Sequence, residues 1–210
     1  MIPVNILALR YIPGADPKLA QALGAPKGRT SLGLLTTDSD DATYIALDAA
    51  TKAADVEVAY ARSFYAGAAN ASTPNAGEVI GILAGKSPGA VRSGMDAAIA
   101  ALGRIGFDET SGVPFLAHTV SSVGSFLAKE AEVSLGSAIA YLIAPPLEAM
   151  YAMDAALKAA DVKLCKLYAP PSETNFGGGL LGGTRSACEA AREAFARAVA
   201  EVAASPLRKE

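Results

Sequence analysis

The sequence predicts an α/β (α+β) protein made of two copies of one domain. Three observations lead there. DAATKAADV at residues 48–56 returns as DAALKAADV at 154–162 with one substitution, helical and strand-like periods alternate in the same order in both halves, and charge is scarce. A repeat at half the chain length marks duplication of a whole domain.

The offset of 106 residues between Asp48 and Asp154 also aligns Ser31 with Ser137, Leu35 with Tyr141, and Leu32–Thr37 with Ala138–Ile143. Upstream, ILALRYIPGADPKLAQAL and PFLAHTVSSVGSFLAKEA read as counterparts, joined by Leu7-Ala8 and Leu116-Ala117 at an offset of 109. Each copy reads as strand, helix, strand, loop, strand, helix, with one further strand-like segment at its start.

In the first copy, Ala42, Ile45, Ala46, Ala49 and Ala53 follow the 3.6-residue period of a helix, and Val56, Val58 and Tyr60 alternate as a strand. Ser87 followed by Pro88 starts a second helix, whose apolar face is Val91, Met95, Ala98, Ile99 and Leu102. In the second copy, Ser186 with Glu189 forms a capping-box pattern ahead of Cys188, Ala191, Phe195, Ala198, Val199 and Val202. The boundary falls in GRIGFDETSG, residues 103–112, where periodicity lapses and Gly, Asp, Ser and Thr gather. The expected domains are 1–108 and 109–210.

Of the 210 residues, 51% are apolar and 19% charged, so much of the surface is expected to be buried between subunits. The formal net charge of −3 offers no positive field for phosphate backbones, and nucleic acid is not an expected partner. Mean hydropathy is +0.30, yet no uncharged apolar run reaches the roughly 18 residues of a membrane span. MIPVNILALRYIPG has no basic n-region, so neither a signal peptide nor a membrane partner is expected.

Motifs for catalysis are sparse. Gly177, Gly179 and Gly182 have G-x-G-x-x-G spacing, but PPSETNF separates them from the preceding strand, whereas a dinucleotide fingerprint needs its glycines at the strand end. The run reads instead as a mobile loop, matched in the first copy by YAGAANASTPNAGE, residues 65–78. His118 has no second histidine or cysteine at ligand spacing, so no metal is expected, and a structural role is the simpler reading. Cys165 and Cys188 read as buried reduced thiols. No P-loop is present. No cofactor and no enzyme activity are expected.

Asp38, Asp40 and Asp41 cluster ahead of the first long helix, where capping alone explains them as well as a site does. With Glu78 nearby, they would suit a protonated amine. The second copy has Ala144, Pro145, Pro146 and Leu147 at the aligned positions, so such a site belongs to the first copy alone.

SLGLLTTDSDDATYIALDAATKAADVEV, APPLEAMYAMDAALKAADV and PPSETNFGGG together resemble the tandem-domain bacterial microcompartment shell proteins of ethanolamine utilisation. The resemblance runs from about residue 30 onward and is less clear before it. It implies two tandem, circularly permuted shell domains, each a small antiparallel sheet flanked by helices. It also implies a homotrimer forming a pseudohexameric disc with a gated central pore for small molecules or cofactors, in a shell within the bacterial cytoplasm built with other shell proteins. By resemblance, Lys52 and Lys158 pack at the disc edge. The pore loops map to segments that include Tyr65, Ala66, Gly67, Asn70 and Asn75, and Thr174, Asn175, Phe176, Gly177, Gly178 and Gly179. Ethanolamine binding maps to Asp40 and Glu78, with Phe107 as a lining residue. The rival reading is a trimeric amine-sensing module that does not tile.

Overall fold

The computed structural model describes residues 1–64, 78–170, 172 and 174–207. Two compact units emerge. The first comprises Pro3–Ile105 with Gly124–Leu127, and the second Met1–Ile2, Gly106–Val123 and the chain from Ala128 onward.

The first unit holds a four-stranded antiparallel sheet ordered β2 (Ile6–Ile12), β3 (Ser31–Thr37), β5 (Glu78–Gly85), β4 (Val56–Phe64). Its helices are α1 (Pro17–Ala22), α2 (Asp40–Ala53) and α3 (Pro88–Leu102). Period-2 alternation of side chains divides the sheet into two faces. Leu32, Ile82 and Ala84 pack with Ala15 and Ala20 around α1. On the α2 and α3 face glycines admit the helices closely: a Cβ on Gly33 would meet Met95 and Val91, and one on Gly81 would meet Leu47. Ser87 caps α3 by accepting from the Ala90 N–H, with Pro88 in the first turn, as the sequence predicts.

The second unit carries a six-stranded sheet ordered β1 (Ile2–Pro3), β6 (Gly106–Thr110), β7 (Val113–Val120), β8 (Ala138–Ala144), β10 (Gly177–Gly183), β9 (Val162–Tyr168). Helices α5 (Pro146–Ala159) and α6 (Arg185–Ala204) cover it. In β8, Ala138, Ala140, Leu142 and Ala144 join a core with Met153, Leu181 and Phe195, while Ile139, Tyr141 and Ile143 take the alternate positions of the same fully buried strand. The short helix α4 (Ser125–Glu130) begins in the first unit.

Three expectations change. In the segment 103–112, Phe107 in β6 is fully buried, and Ser111 and Gly112, with φ of 50° and 78°, turn the chain between Thr110 and its partner Val113. Positive φ at both central residues is what a two-residue hairpin of strands requires. Helix α6 is capped two residues earlier than predicted, by Thr184 accepting from the Ala187 N–H, while Glu189 pairs with Arg185 rather than closing a capping box. The sequence also misses α1 and α4, which are too short to show a full apolar period. The offset of 109 holds in the strands, where Ala8 opposes Thr36 and Ala117 opposes Leu142, and becomes 108 in these helices: the Ala15 N–H to Thr30 O and Ala25 N–H to Ala20 O bonds recur from Val123 N–H to Ser137 O and from Val133 N–H to Ala128 O. The positive φ values of Gly24 and Gly28 recur at Glu132 and Gly136.

The third change concerns the glycine run. Gly177, Gly178 and Gly179 are buried in β10, hydrogen-bonded between β8 and β9, instead of lying in a loop. Gly178 has φ of 149°, and a Cβ there would stand 1.9 Å from the Leu142 carbonyl oxygen. Close backbone approach inside a sheet, not loop mobility, accounts for these glycines.

Candidate functional site

Strand β3 ends at Thr37, and the chain turns through Asp38 and Ser39 into α2. Every step of this turn is tied down. Asn5 donates its backbone N–H and its side-chain amide to the two oxygens of Asp38, at 2.8 and 2.7 Å. The Thr37 hydroxyl lies 2.7 Å from that of Thr43 and accepts from the Ser39 N–H. Ser39 caps α2 by accepting from Ala42.

Asp40 and Asp41, in the first turn of α2, are both buried. The partial positive charge of a helix N-terminus favours carboxylates there. Burial outweighs that help for Asp40: desolvation pushes its pKa from 3.8 up to about 6, against the lowering effect of hydrogen bonds from Ser63 and the Asp41 backbone. The Ser63 hydroxyl is itself 2.5 Å from that of Tyr44, so α2 and the end of β4 share one polar network around Asp40. Glu78 enters at the same end. Its backbone pairs with that of Phe64, one register step from the Ser63–Val79 pair. Once ionised, a carboxylate fixed at a helix N-terminus can accept charge-assisted hydrogen bonds from a cation.

Phe107 lies in the second unit, its ring 5.9 Å from that of Phe176. Before Phe176, Ser172 organises a compact turn: its hydroxyl accepts from the Thr174 N–H and donates to the Phe176 carbonyl. Asn175 is exposed in that turn. Tyr65, Ala66, Gly67, Asn70 and Asn75 lie outside the described residues.

The two motif lysines occupy different settings. Lys158 is largely exposed and its ammonium sits 2.6 Å from Asp154, a partner that raises its pKa. Lys52 sits 3.2 Å from Asp48, whose side chain is fully buried. Sequence reasoning passed over Asp48, although it does more than pair. Its carboxylate accepts the N–H groups of Gly124 at 2.7 Å and Leu127 at 2.9 Å, and Thr51 accepts that of Ser125. The first turn of α4 is thus capped by α2. Tyr44 and Phe126 add a ring contact at 6.0 Å.

His118 lies in β7 opposite Tyr141. Both cysteines are free, Cys188 buried and Cys165 half-buried, so only the first fits the expectation of a buried thiol. Among the described residues, no group of three or more His, Cys, Asp or Glu side chains is placed to hold a metal ion. No described helix is long and apolar enough to cross a membrane.

Comparison with known proteins places this architecture. The BMC domain family matches residues 31–113. The bacterial microcompartment shell protein EutL of Clostridium perfringens is 54% identical over 99% of this chain and 97% of its own length. The chain belongs to the EutL family of bacterial microcompartment shell proteins. The Escherichia coli EutL is 47% identical over 100% of the chain and 97% of its own length. The crystal structure of the ethanolamine utilization protein EutL from Leptotrichia buccalis superimposes with a TM-score of 0.93 at 54% identity, covering 99% of this chain and 98% of that one. This EutL-family likeness includes the first 30 residues, where the motifs are less clear.

Proposed function

We propose that this shell protein of the ethanolamine-utilisation microcompartment closes into a homotrimer, a pseudohexameric disc whose gated central pore passes small molecules or cofactors. The observation that carries the reading is identity of 54% to a curated shell protein along 99% of the chain. Duplication supports it, because three duplicated chains under cyclic symmetry present six similar edges, the arrangement that tiles a layer. The family is structural, and in this reading the chain catalyses nothing.

In the same reading Lys52 and Lys158 pack at disc edges, and Tyr65 to Asn75 and Thr174 to Phe176 border the pore. Asp40 and Glu78 hold the ammonium of ethanolamine, with Phe107 lining the groove. Gly177–Gly179 reach the same border from the start of β10. A ligand shifts the gate only by binding one state better than the other.

The test is mass in solution by light scattering, followed by electron microscopy of concentrated protein. A trimer that forms regular sheets supports the reading, and Lys158→Glu should then abolish the sheets without changing the trimer mass. A monomer that forms no sheet at any concentration would overturn it.

A further inference from the structure

The duplication leaves one helix face filled in the first copy and open in the second. In the first, α2 receives the first turn of α4: Asp48 and Thr51 accept its N–H groups, Tyr44 meets Phe126, and Leu127 is 1% exposed. The helix α5 is the counterpart of α2 at an offset of 106, which turns Asp41, Tyr44, Ile45 and Asp48 into Leu147, Met150, Tyr151 and Asp154. Where Asp41 and Ile45 are buried, Leu147 is 64% and Tyr151 44% exposed. Where the Asp48 side chain is fully buried, that of Asp154 is 63% exposed.

The same asymmetry holds for the visiting helix. The counterpart of α4 at an offset of 108 is α1, and there Leu19, the equivalent of buried Leu127, is 47% exposed. The structure therefore contains both halves of a second contact, each open and each matched to an occupied template in the same chain. From this we infer that α5 of one chain receives α1 of a second copy of the chain, with Leu19 against Leu147 and Tyr151 and the stem of Lys18 against Met150. The contact is head-to-tail, as a cyclic assembly requires.

One difference shapes it. In α4 the position of the cap is Gly124, where a Cβ would stand 2.3 Å from the Thr51 hydroxyl. In α1 that position is Asp16, which caps its own helix by accepting from Lys18 and Leu19. The Cβ of Asp16 sets α1 farther from its host helix than α4 is from α2. Asp154 is not needed as a cap and keeps Lys158. The new contact is accordingly apolar where the template is apolar and polar.

This inference rests on the assembly reading above, and the experiment separates the two. Leu19→Asp and Tyr151→Asp are made singly in the full chain, and mass is followed by light scattering during dilution, with far-ultraviolet circular dichroism as the check on folding. Each should raise the dissociation midpoint at least tenfold while the folded spectrum is retained. In Lys18→Cys/Met150→Cys protein on a Cys165→Ser background, a short bismaleimide should link chains into covalent oligomers, and neither single cysteine variant should do so. Wild-type oligomers of unchanged midpoint in both aspartate variants, with no cross-link, would overturn this contact and leave the assembly reading standing. Wild-type protein that is monomeric at all concentrations would overturn both.

Discussion

Asp48 Oδ2 lies 2.7 Å from the backbone nitrogen of Gly124, 76 residues away, and accepts its hydrogen bond out of contact with solvent. The other oxygen takes Leu127 and the ammonium of Lys52 supplies the countercharge. A buried carboxylate is tolerated only when its lone pairs and charge are answered in this way. Replacing Asp48 with Ala should leave two buried N–H groups unmatched and cost about 3 kcal/mol in denaturant titration. Asp48→Asn, which keeps an acceptor but loses the charge, should cost less. Equal stability of Asp48→Ala and wild type would contradict this account.

Gly124→Ala should destabilise by roughly 1–3 kcal/mol, because its Cβ would fall 2.3 Å from the Thr51 hydroxyl and 2.7 Å from the Asp48 carbonyl oxygen. Thr51→Ala removes the nearer obstacle. A double-mutant cycle should therefore show the pair costing less than the sum of the single changes, with a coupling above about 0.5 kcal/mol.

The Asp40 carboxyl makes stability depend on pH in a defined direction. Its folded pKa is raised to about 6 from 3.8, so between those values the unfolded chain releases a proton that the folded chain keeps. Stability from this group falls as pH rises from about 4 to about 6, by at most ~1.4 kcal/mol per pH unit, and is flat above and below. Asp40→Asn should remove that slope in denaturant titrations across the window. An unchanged slope would mean that another group carries it.

Two glycines should respond oppositely to alanine. Gly178→Ala would drive a Cβ to 1.9 Å from the Leu142 carbonyl in the middle of a sheet and should prevent folding or cost more than about 3 kcal/mol. Gly89, in the first turn of α3, has nothing within 4 Å of its would-be Cβ, and Gly89→Ala should stabilise by about 0.5–1 kcal/mol. Thermal unfolding of both variants checks the contrast.

The long helices were legible because α2, α3, α5 and α6 each complete several turns of apolar period, and the duplication because nine residues recur almost unchanged. The glycine run was misread for a physical reason. Glycine signals a position where no Cβ fits, and a loop and a crowded central strand make the same demand, so Gly177–Gly179 looked alike in either setting. The hairpin at Ser111-Gly112 was hidden in similar fashion, its turn residues resembling those of a domain boundary. For the candidate site, the cluster of Asp38, Asp40 and Asp41 was visible, whereas Asn5 and Ser63 come from distant elements with no pattern joining them, and Tyr44, in α2 itself, reads as one more helix residue until Ser63 arrives beside it. Asp48 stood inside the most prominent motif of the chain, yet nothing local distinguishes it from Asp154. Only the arrival of α4 makes one a buried cap and leaves the other in solvent.

That arrival, together with the placement of Met1–Ile2 beside β6, means that the two halves are not interchangeable cassettes. A gene cut after residue 105 would give a first half lacking the turn that answers Asp48, and a second half lacking the strand that borders β6. Recombination between such half-genes would carry each exchanged segment into the wrong unit. A duplicated chain laced in this manner is inherited whole, which leaves its two copies free to diverge at matched positions such as Asp41 and Leu147 without being separated again.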